Sequence, residues 1–319
     1  MTRFIIRRLI QAMLTLLGIT MLTFVLVRLA PGDPVSLMLA GSGDLSAADI
    51  AALRAAYDVD EPIPQQYLRW LGKLAQGDLG YSLLSKRPVS QMIGAALPNT
   101  IQLSLLALLV ALLVGVPLGV VAALRRGSWL DQVIRVLSVG GHAIPPFWLG
   151  LLFILTLSVQ FRLFPVGGML TIGASEWDIG DRLAHLVGPV LTLSLAGIAN
   201  YTRYLRTEVL DVLAADHVRT ARSKGLPEQS VVLAHVLRNS LTPVVTALGG
   251  VLAALVSGAL VVEQVFAWPG MGRLAFEAAR GKDYPVIMGV VVLTSALLLT
   301  SYLIRDILYG VVDPRVSRS

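Results

Sequence analysis

The sequence contains no cysteine, and only 14% of its 319 residues are charged. The first absence excludes disulfides, thiolate metal sites and a cysteine nucleophile. The second is far below the roughly one quarter of charged residues found in soluble globular domains. A Walker A phosphate cradle is also missing, because Gly72-Lys73 and Gly281-Lys282 lack the upstream glycine spacing and the following Ser or Thr. The histidines His142, His185, His217 and His235 show no His-Glu-x-x-His spacing, which argues against a metal site. No Gly-x-Ser-x-Gly elbow marks a hydrolase. The net charge of +6 comes with no basic run and no interleaved stacking aromatics, so a nucleic-acid partner is not expected.

What is present is apolar sequence, 55% of the chain. A bilayer core roughly 30 Å thick takes about 20 apolar residues of helix to cross. Runs of that kind extend approximately from Leu9 to Leu29, Thr100 to Leu124, Val133 to Val159, Leu186 to Tyr201, Leu241 to Phe266 and Tyr284 to Leu303. They lack the apolar/polar alternation of barrel strands, so the expected fold is all-α, a polytopic membrane protein of about six transmembrane helices. Arg3, Arg7 and Arg8 precede the first run, but the run is long for a signal core and Val27-Arg28-Leu29-Ala30-Pro31 is a poor cleavage site, so a retained anchor is expected.

Basic residues are denser in the segments that fall on the same side as both termini, among them Arg125, Arg126, Arg203, Arg206, Arg219, Arg222, Lys224 and Arg238. The positive-inside rule then places both termini in the cytoplasm, with anionic lipid as a partner of the surface. Three divisions follow: an N-terminal transmembrane helix at 1–30, an extracytoplasmic helical cap at 31–96 and a five-helix core at 97–319 that contains a cytoplasmic loop at 202–240.

Within the cap, Ser46 and Asp49 signal a helix start that runs through Ala56. A second helix is marked by Pro64, by a stripe of Tyr67, Leu68, Leu71 and Leu74, and by Gly77 as its stop. This pattern fits packing on the membrane surface and reception of a partner equally well. In the cytoplasmic loop, Asp216 is the expected cap of a short helix from His217 to Lys224, with Arg222 and Lys224 in its last turn. Gly225 follows as a left-handed stop before Leu226, and Pro227 as the first residue of the next helix. A helix of two turns is marginal alone, so it is held either by docking into a groove of a cytosolic protein or by anionic headgroups.

Ionisable groups within the expected spans are few; Glu263 near the outer end of the fifth and His142 in the third stand out as candidates to line a translocation path. This scarcity argues against a self-contained secondary transporter or channel, the alternative from another class. Gly140-Gly141 and Pro145-Pro146 interrupt the third span, as a path lining or as a packing kink.

The segment Thr220-Ala221-Arg222-Ser223-Lys224-Gly225-Leu226, followed by His235-Val236-Leu237-Arg238-Asn239-Ser240-Leu241-Thr242-Pro243, resembles the cytoplasmic signature loop of ABC-importer permeases of the dipeptide, oligopeptide and nickel branch. Pro31-Gly32-Asp33-Pro34, Gly77-Asp78-Leu79-Gly80, Leu97-Pro98-Asn99-Thr100 and Pro146-Phe147-Trp148-Leu149-Gly150 carry the same resemblance. So do Phe164-Pro165-Val166-Gly167-Gly168, Val265-Phe266-Ala267-Trp268-Pro269-Gly270-Met271-Gly272 and Asp313-Pro314-Arg315. One departure is Arg219-Thr220-Ala221 where the general permease loop begins Glu-Ala-Ala, so a coupling role for a first-position Glu does not carry over. The resemblance implies a type I ABC importer permease fold in the inner membrane that imports peptides or a related small solute. Its implied partners are a homologous second permease, two cytosolic ATPases and a periplasmic or lipoprotein solute-binding protein. ATP and Mg would sit on the ATPases, with no cofactor and no catalytic residue on this chain. Asp216, His217, Arg219, Thr220, Ala221, Arg222, Ser223, Lys224, Gly225 and Leu226 would form the coupling element, and the outer cap would meet the binding protein.

Overall fold

In the computed structural model the described residues are 2–29, 61–175, 177–241 and 259–312. They form helices α1 (Thr2–Leu29), α2 (Ile63–Ala75), α3 (Val89–Leu124), α4 (Trp129–Ala143), α5 (Pro146–Phe153), α6 (Ile179–Leu213), α7 (Asp216–Ser223), α8 (Glu228–Ser230), α9 (Arg238–Ser240), α10 (Ala259–Val265), α11 (Met271–Arg280) and α12 (Tyr284–Val312). Two π-helical stretches continue neighbouring helices, Ile154–Gln160 after α5 and Val231–Leu237 between α8 and α9. Among the described residues no strand forms, and the all-α expectation holds. The expected helix from Ser46 to Ala56, the strings Pro31-Gly32-Asp33-Pro34 and Asp313-Pro314-Arg315, and positions 242–258 of the expected fifth span lie outside the described residues.

Among the described residues four helices are long and apolar enough to cross a membrane, and a fifth span arises if the bent pair α4 and α5, with its π-helical continuation, is taken as one. Helix α3 has 36 residues and α6 has 35. At about 1.5 Å per residue each exceeds 50 Å, well beyond the ~30 Å hydrocarbon core. The expected span from Thr100 to Leu124 is thus the C-terminal part of a longer helix, and that from Leu186 to Tyr201 the middle of another. An apolar run marks only what lies in lipid, whereas the internally bonded backbone continues into water. The third span breaks at Ile144 and Pro145, both extended with ψ of 122° and 133°. Each precedes a proline, which disfavours helical geometry in the residue before it, and the two halves are bent by 98°.

The chain divides into two compact units, Met1–Asn99 with Pro269–Ser319, and Thr100–Trp268. In the first, α1 and α12 pack antiparallel, and Arg8 Nε lies 3.2 Å from Asp306 Oδ2, so the start of one helix adjoins the end of the other. Helix α2 rests on the far end of α1 through Phe24, Tyr67 and Trp70, whose ring centroids are 5.5 to 5.9 Å apart. The Arg28 guanidinium sits 5.3 Å from the Phe24 centroid. Gly77 closes α2 with φ of +81°, as its sequence position predicts. Leu68 departs from the expected stripe: it is 65% exposed, because it is turned about 100° from Tyr67 and about 60° from Leu71, toward the open side of the helix. Gln66 is buried in its stead and donates to the Glu61 carbonyl at 2.7 Å. Elsewhere in this unit, buried Asp283 accepts from the Ser82 hydroxyl and from the Leu83 amide, fastening the segment after Gly80 to the start of α12.

In the second unit α3 and α6 approach backbone to backbone. A Cβ built on Gly115 would lie 2.9 Å from the Ile198 carbonyl oxygen, and one on Gly119 would lie 2.7 Å from that of Thr202. The Thr202 hydroxyl donates back to the Gly115 carbonyl at 3.2 Å. This is small-xxx-small packing, in which association within lipid rests on close contact. Gly119→Val is expected to lower stability by about 3 kcal/mol, the upper range for overpacking, since the obstacle is backbone that cannot swing aside. A thermal melt of the detergent-purified protein measures it; an unchanged midpoint would show that the helices separate at no cost. On another face of α6, Gly188 abuts Phe266 and Phe153, and the Phe266 carbonyl accepts from the Gly168 amide at 2.8 Å. Trp268 is wholly buried with Leu103, Leu186 and Val190. The Phe164 to Gly168 and Val265 to Trp268 strings are therefore packing partners.

Candidate functional site

The expected coupling element is a short helix on a built seat. Val218 and Ala221, three residues apart and hence on one face, are buried against Leu205 and Val209 of α6, Val231 and Val236 of the following π-helix, and Ala123 of α3. Full burial of a side chain such as Val218 contributes about 1.5 to 3 kcal/mol. The two-turn helix α7 is thereby held by its own chain, without recourse to headgroups. Asp216, His217, Arg219, Thr220, Arg222, Ser223, Lys224, Gly225 and Leu226 are all exposed.

Three local details differ from the sequence expectation. Asp216 is the first helical residue and not the cap; Ala215 holds the cap position without a side-chain hydrogen bond. Asp216 complements the helix dipole from the first turn and lies 3.3 Å from Arg219. The helix ends at Ser223, with Lys224 as its C-cap. Pro227, with ψ of 142°, flanks α8 instead of opening it. Gly225 does take the expected left-handed geometry, φ +76°; its amide donates to the Arg222 carbonyl at 2.9 Å, and that of Leu226 to the Ala221 carbonyl at 3.5 Å, a Schellman closure.

The polar side chains of this face bond largely within their own segment. The Thr220 and Ser223 hydroxyls donate back to the Asp216 and Arg219 carbonyls at 2.9 and 3.0 Å. Arg222 grips Glu228 with two hydrogen bonds of 2.6 and 3.2 Å. That grip holds the Glu228 carboxyl below its ordinary value of 4.5. A depressed carboxyl stabilises above its unfolded value and ceases to do so as the pH falls through the folded one, so at neutral pH the pair is intact. His217 Nε2 lies 3.3 Å from Asn239 Nδ2. Lys224 and Leu226 project at the end of the helix, a cation beside an apolar tip. Such a surface offers shape and charge to a groove.

Sequence reasoning missed a second feature of this unit. Asp131, 1% exposed, accepts from Arg206 Nε at 2.7 Å and Nη2 at 2.9 Å, and from the Gly127 amide at 3.0 Å, while Arg135 Nε stands 3.5 Å away. This bidentate clasp ties the start of α4 to the last turns of α6, the helix that carries the seat. A signal for half of it existed, because Ser128 three residues before Asp131 is a capping pattern and the Asp131 amide donates to Ser128 Oγ at 3.3 Å. Nothing in a linear sequence names Arg206 as the partner. Arg135, which falls within the third expected span, was passed over as an ionisable group there.

The expected path residues are apart in character. His142 is exposed in the last turn of α4, directly before the break at Pro145. Glu263 is fully buried in α10 and accepts from the Thr100 hydroxyl at 2.6 Å. Among the described residues no cluster of His, Asp and Glu is arranged to hold a metal.

Residues 115–318 match the family described as binding-protein-dependent transport system inner membrane component, and residues 1–104 match the N-terminal family of such membrane components. The chain is 45% identical over 317 residues to the oligopeptide transport system permease protein AppB of Bacillus subtilis, covering 99% of each. It is 37% identical over 336 residues to the dipeptide transport system permease protein DppB of Escherichia coli K12, and 38% identical over 333 residues to the di/tripeptide transport system permease protein DppB of Pseudomonas aeruginosa, again with 99% of each chain covered.

Proposed function

This chain belongs to the family of binding-protein-dependent transport system inner membrane components, the membrane permeases of ABC importers, and we propose that its cargo is di- or oligopeptide. The observation that carries the cargo assignment is the match of 99% of the chain to relatives that are oligopeptide and dipeptide permeases. The permease works with a homologous second permease, two cytosolic ATPases and an external solute-binding protein. It holds no ATPase site and no cofactor of its own, and ATP and Mg act on the ATPase subunits. Both termini face the cytoplasm; their adjacency at Arg8 and Asp306 supports a common side. The N-terminal helix at 1–30 crosses the membrane, the cap at 31–96 meets the binding protein, and 97–319 forms the core with the coupling loop.

Helix α7 is the coupling element. The geometry supports this, because Val218 and Ala221 fix it to α6 while its polar face is left to a partner. ATPase closure then moves α7 and α6 together and switches the permease pair between inward- and outward-open states. His142 lines the path beside the α4 break, and Glu263 stands in its wall, fastened to Thr100.

The test is purification of the chain, tagged at its C-terminus, from native membranes in mild detergent, followed by reconstitution with the proteins that accompany it. Recovery with a second permease and Walker-motif ATPases, and peptide uptake that needs ATP and the binding protein, is the expected result. Recovery alone, with uptake that needs no ATP, overturns the reading in favour of a self-contained carrier.

A further inference from the structure

On the second unit, α4 and α6 flank an open groove of about 630 Å³. Its lining includes Arg135, Arg203 and Arg206 and no carboxylate, with Gln132 and Thr207 as further hydrogen-bonding groups and Val136 and Val139 as its apolar part. The cations are under-neutralised. Arg206 takes both oxygens of Asp131, Arg135 reaches that same carboxylate only at 3.5 Å, and Arg203 Nη2 donates to the neutral Asn200 Oδ1 at 2.8 Å. Three guanidiniums thus line an open groove around a single carboxylate, that of Asp131, which Arg206 holds and Arg135 shares, while Arg203 bonds a neutral amide.

The apolar part tells which anion belongs there. Val136 is 70% exposed and Val139 59%, and they follow Arg135 along α4 in the direction away from Trp129. Trp129, itself exposed, sits at the start of the helix, where interfacial tryptophans are found. A soluble anion would leave these valines in water; a molecule with a phosphate at one end and acyl chains at the other satisfies both ends. We propose that the groove binds an anionic phospholipid, its phosphate between Arg135 and Arg203 and its acyl chain along Val136 and Val139. That the lipid comes from the cytoplasmic leaflet rests on the orientation given above.

The importer complex, purified in detergent and exchanged into nanodiscs of phosphatidylcholine with a minority of phosphatidylglycerol, is released for native mass spectrometry to count bound phosphatidylglycerol. At about fivefold per surface arginine, Arg135→Gln with Arg203→Gln should weaken retention by about 25-fold. Val139→Trp, which fills the groove and leaves its charge intact, should also lose the lipid, and guards against a charge variant that misfolds. Equal retention by both variants overturns the proposal. So does displacement by millimolar inorganic phosphate, which would make the site one for a free anion, or cross-linking of Val136→Cys to the second permease, which would make it a protein interface. Lipid retention is read without ATP or cargo, so failure here is distinguishable from failure of the importer reading, which is judged by ATP-dependent uptake of the unmodified complex.

Discussion

Asp131→Ala is expected to cost about 3 kcal/mol of stability and to lower the melting midpoint by roughly 5 to 10 °C. The carboxylate is almost entirely buried, and the guanidinium it holds is only 20% exposed. Removing one member of such a pair leaves the other charge without its partner, a larger loss than the pair's net value. Arg206 retains some access to water, which keeps the effect at the lower end of the 3 to 5 kcal/mol range for broken buried pairs. The Gly127 amide also loses its acceptor. A double variant, Asp131→Ala with Arg206→Met, should recover most of the lost stability, because no uncompensated charge remains. If the single variant melts like the unmodified protein, the clasp does not hold α4 to α6.

Gly225→Val should reduce substrate-stimulated ATPase and uptake on the order of tenfold, with complex assembly retained. An L-residue in the left-handed region costs about 1 to 2 kcal/mol, and a β-branched one more. No atom lies within 4 Å of a Cβ built at this position, so crowding is not the cause and a residue tolerant of positive φ should fit. Gly225→Asn is therefore expected to retain most activity, with Gly225→Ala between the two. The ordering of the series is what identifies backbone geometry as the requirement. Full activity of the valine variant would remove the helix stop from the coupling mechanism.

The apolar runs at Leu9, Thr100, Leu186 and Tyr284 found their helices because lipid imposes a length and a composition that can be counted along a chain. Pro64 and Gly77 marked α2, and Gly225 marked the end of α7, because those residues impose backbone geometry locally. What escaped was decided by partners distant in sequence. Asp131 and Arg206 are 75 residues apart, so their clasp left no periodic trace. The seat of Val218 and Ala221 on Leu205 and Val209 is invisible for the same reason, and a helix that looked as if it needed an outside support already had one. The cap went to Ala215 over Asp216 because the turn from α6 supplies backbone bonds, the Ala215 amide donating to the Val212 carbonyl at 3.0 Å. Helix lengths were underestimated for a different reason: an apolar run reports immersion, and α3 and α6 both continue beyond it.

Helix α6 also has the proportions of an unequal lever. Its seat for α7 lies at Leu205 and Val209, and Pro189, an interior proline with no amide to give the preceding turn, lies much nearer the other end. Counting about 1.5 Å per residue, the arm from Pro189 to Leu205 is roughly 24 Å and the arm to Ile179 roughly 15 Å. Were the helix to pivot at Pro189, a push delivered at the seat would reach Ile179 reversed in direction and reduced to about two thirds. Cytoplasmic closing and opposite-side opening would then be two ends of one stroke, with the larger travel always on the side where ATP is spent.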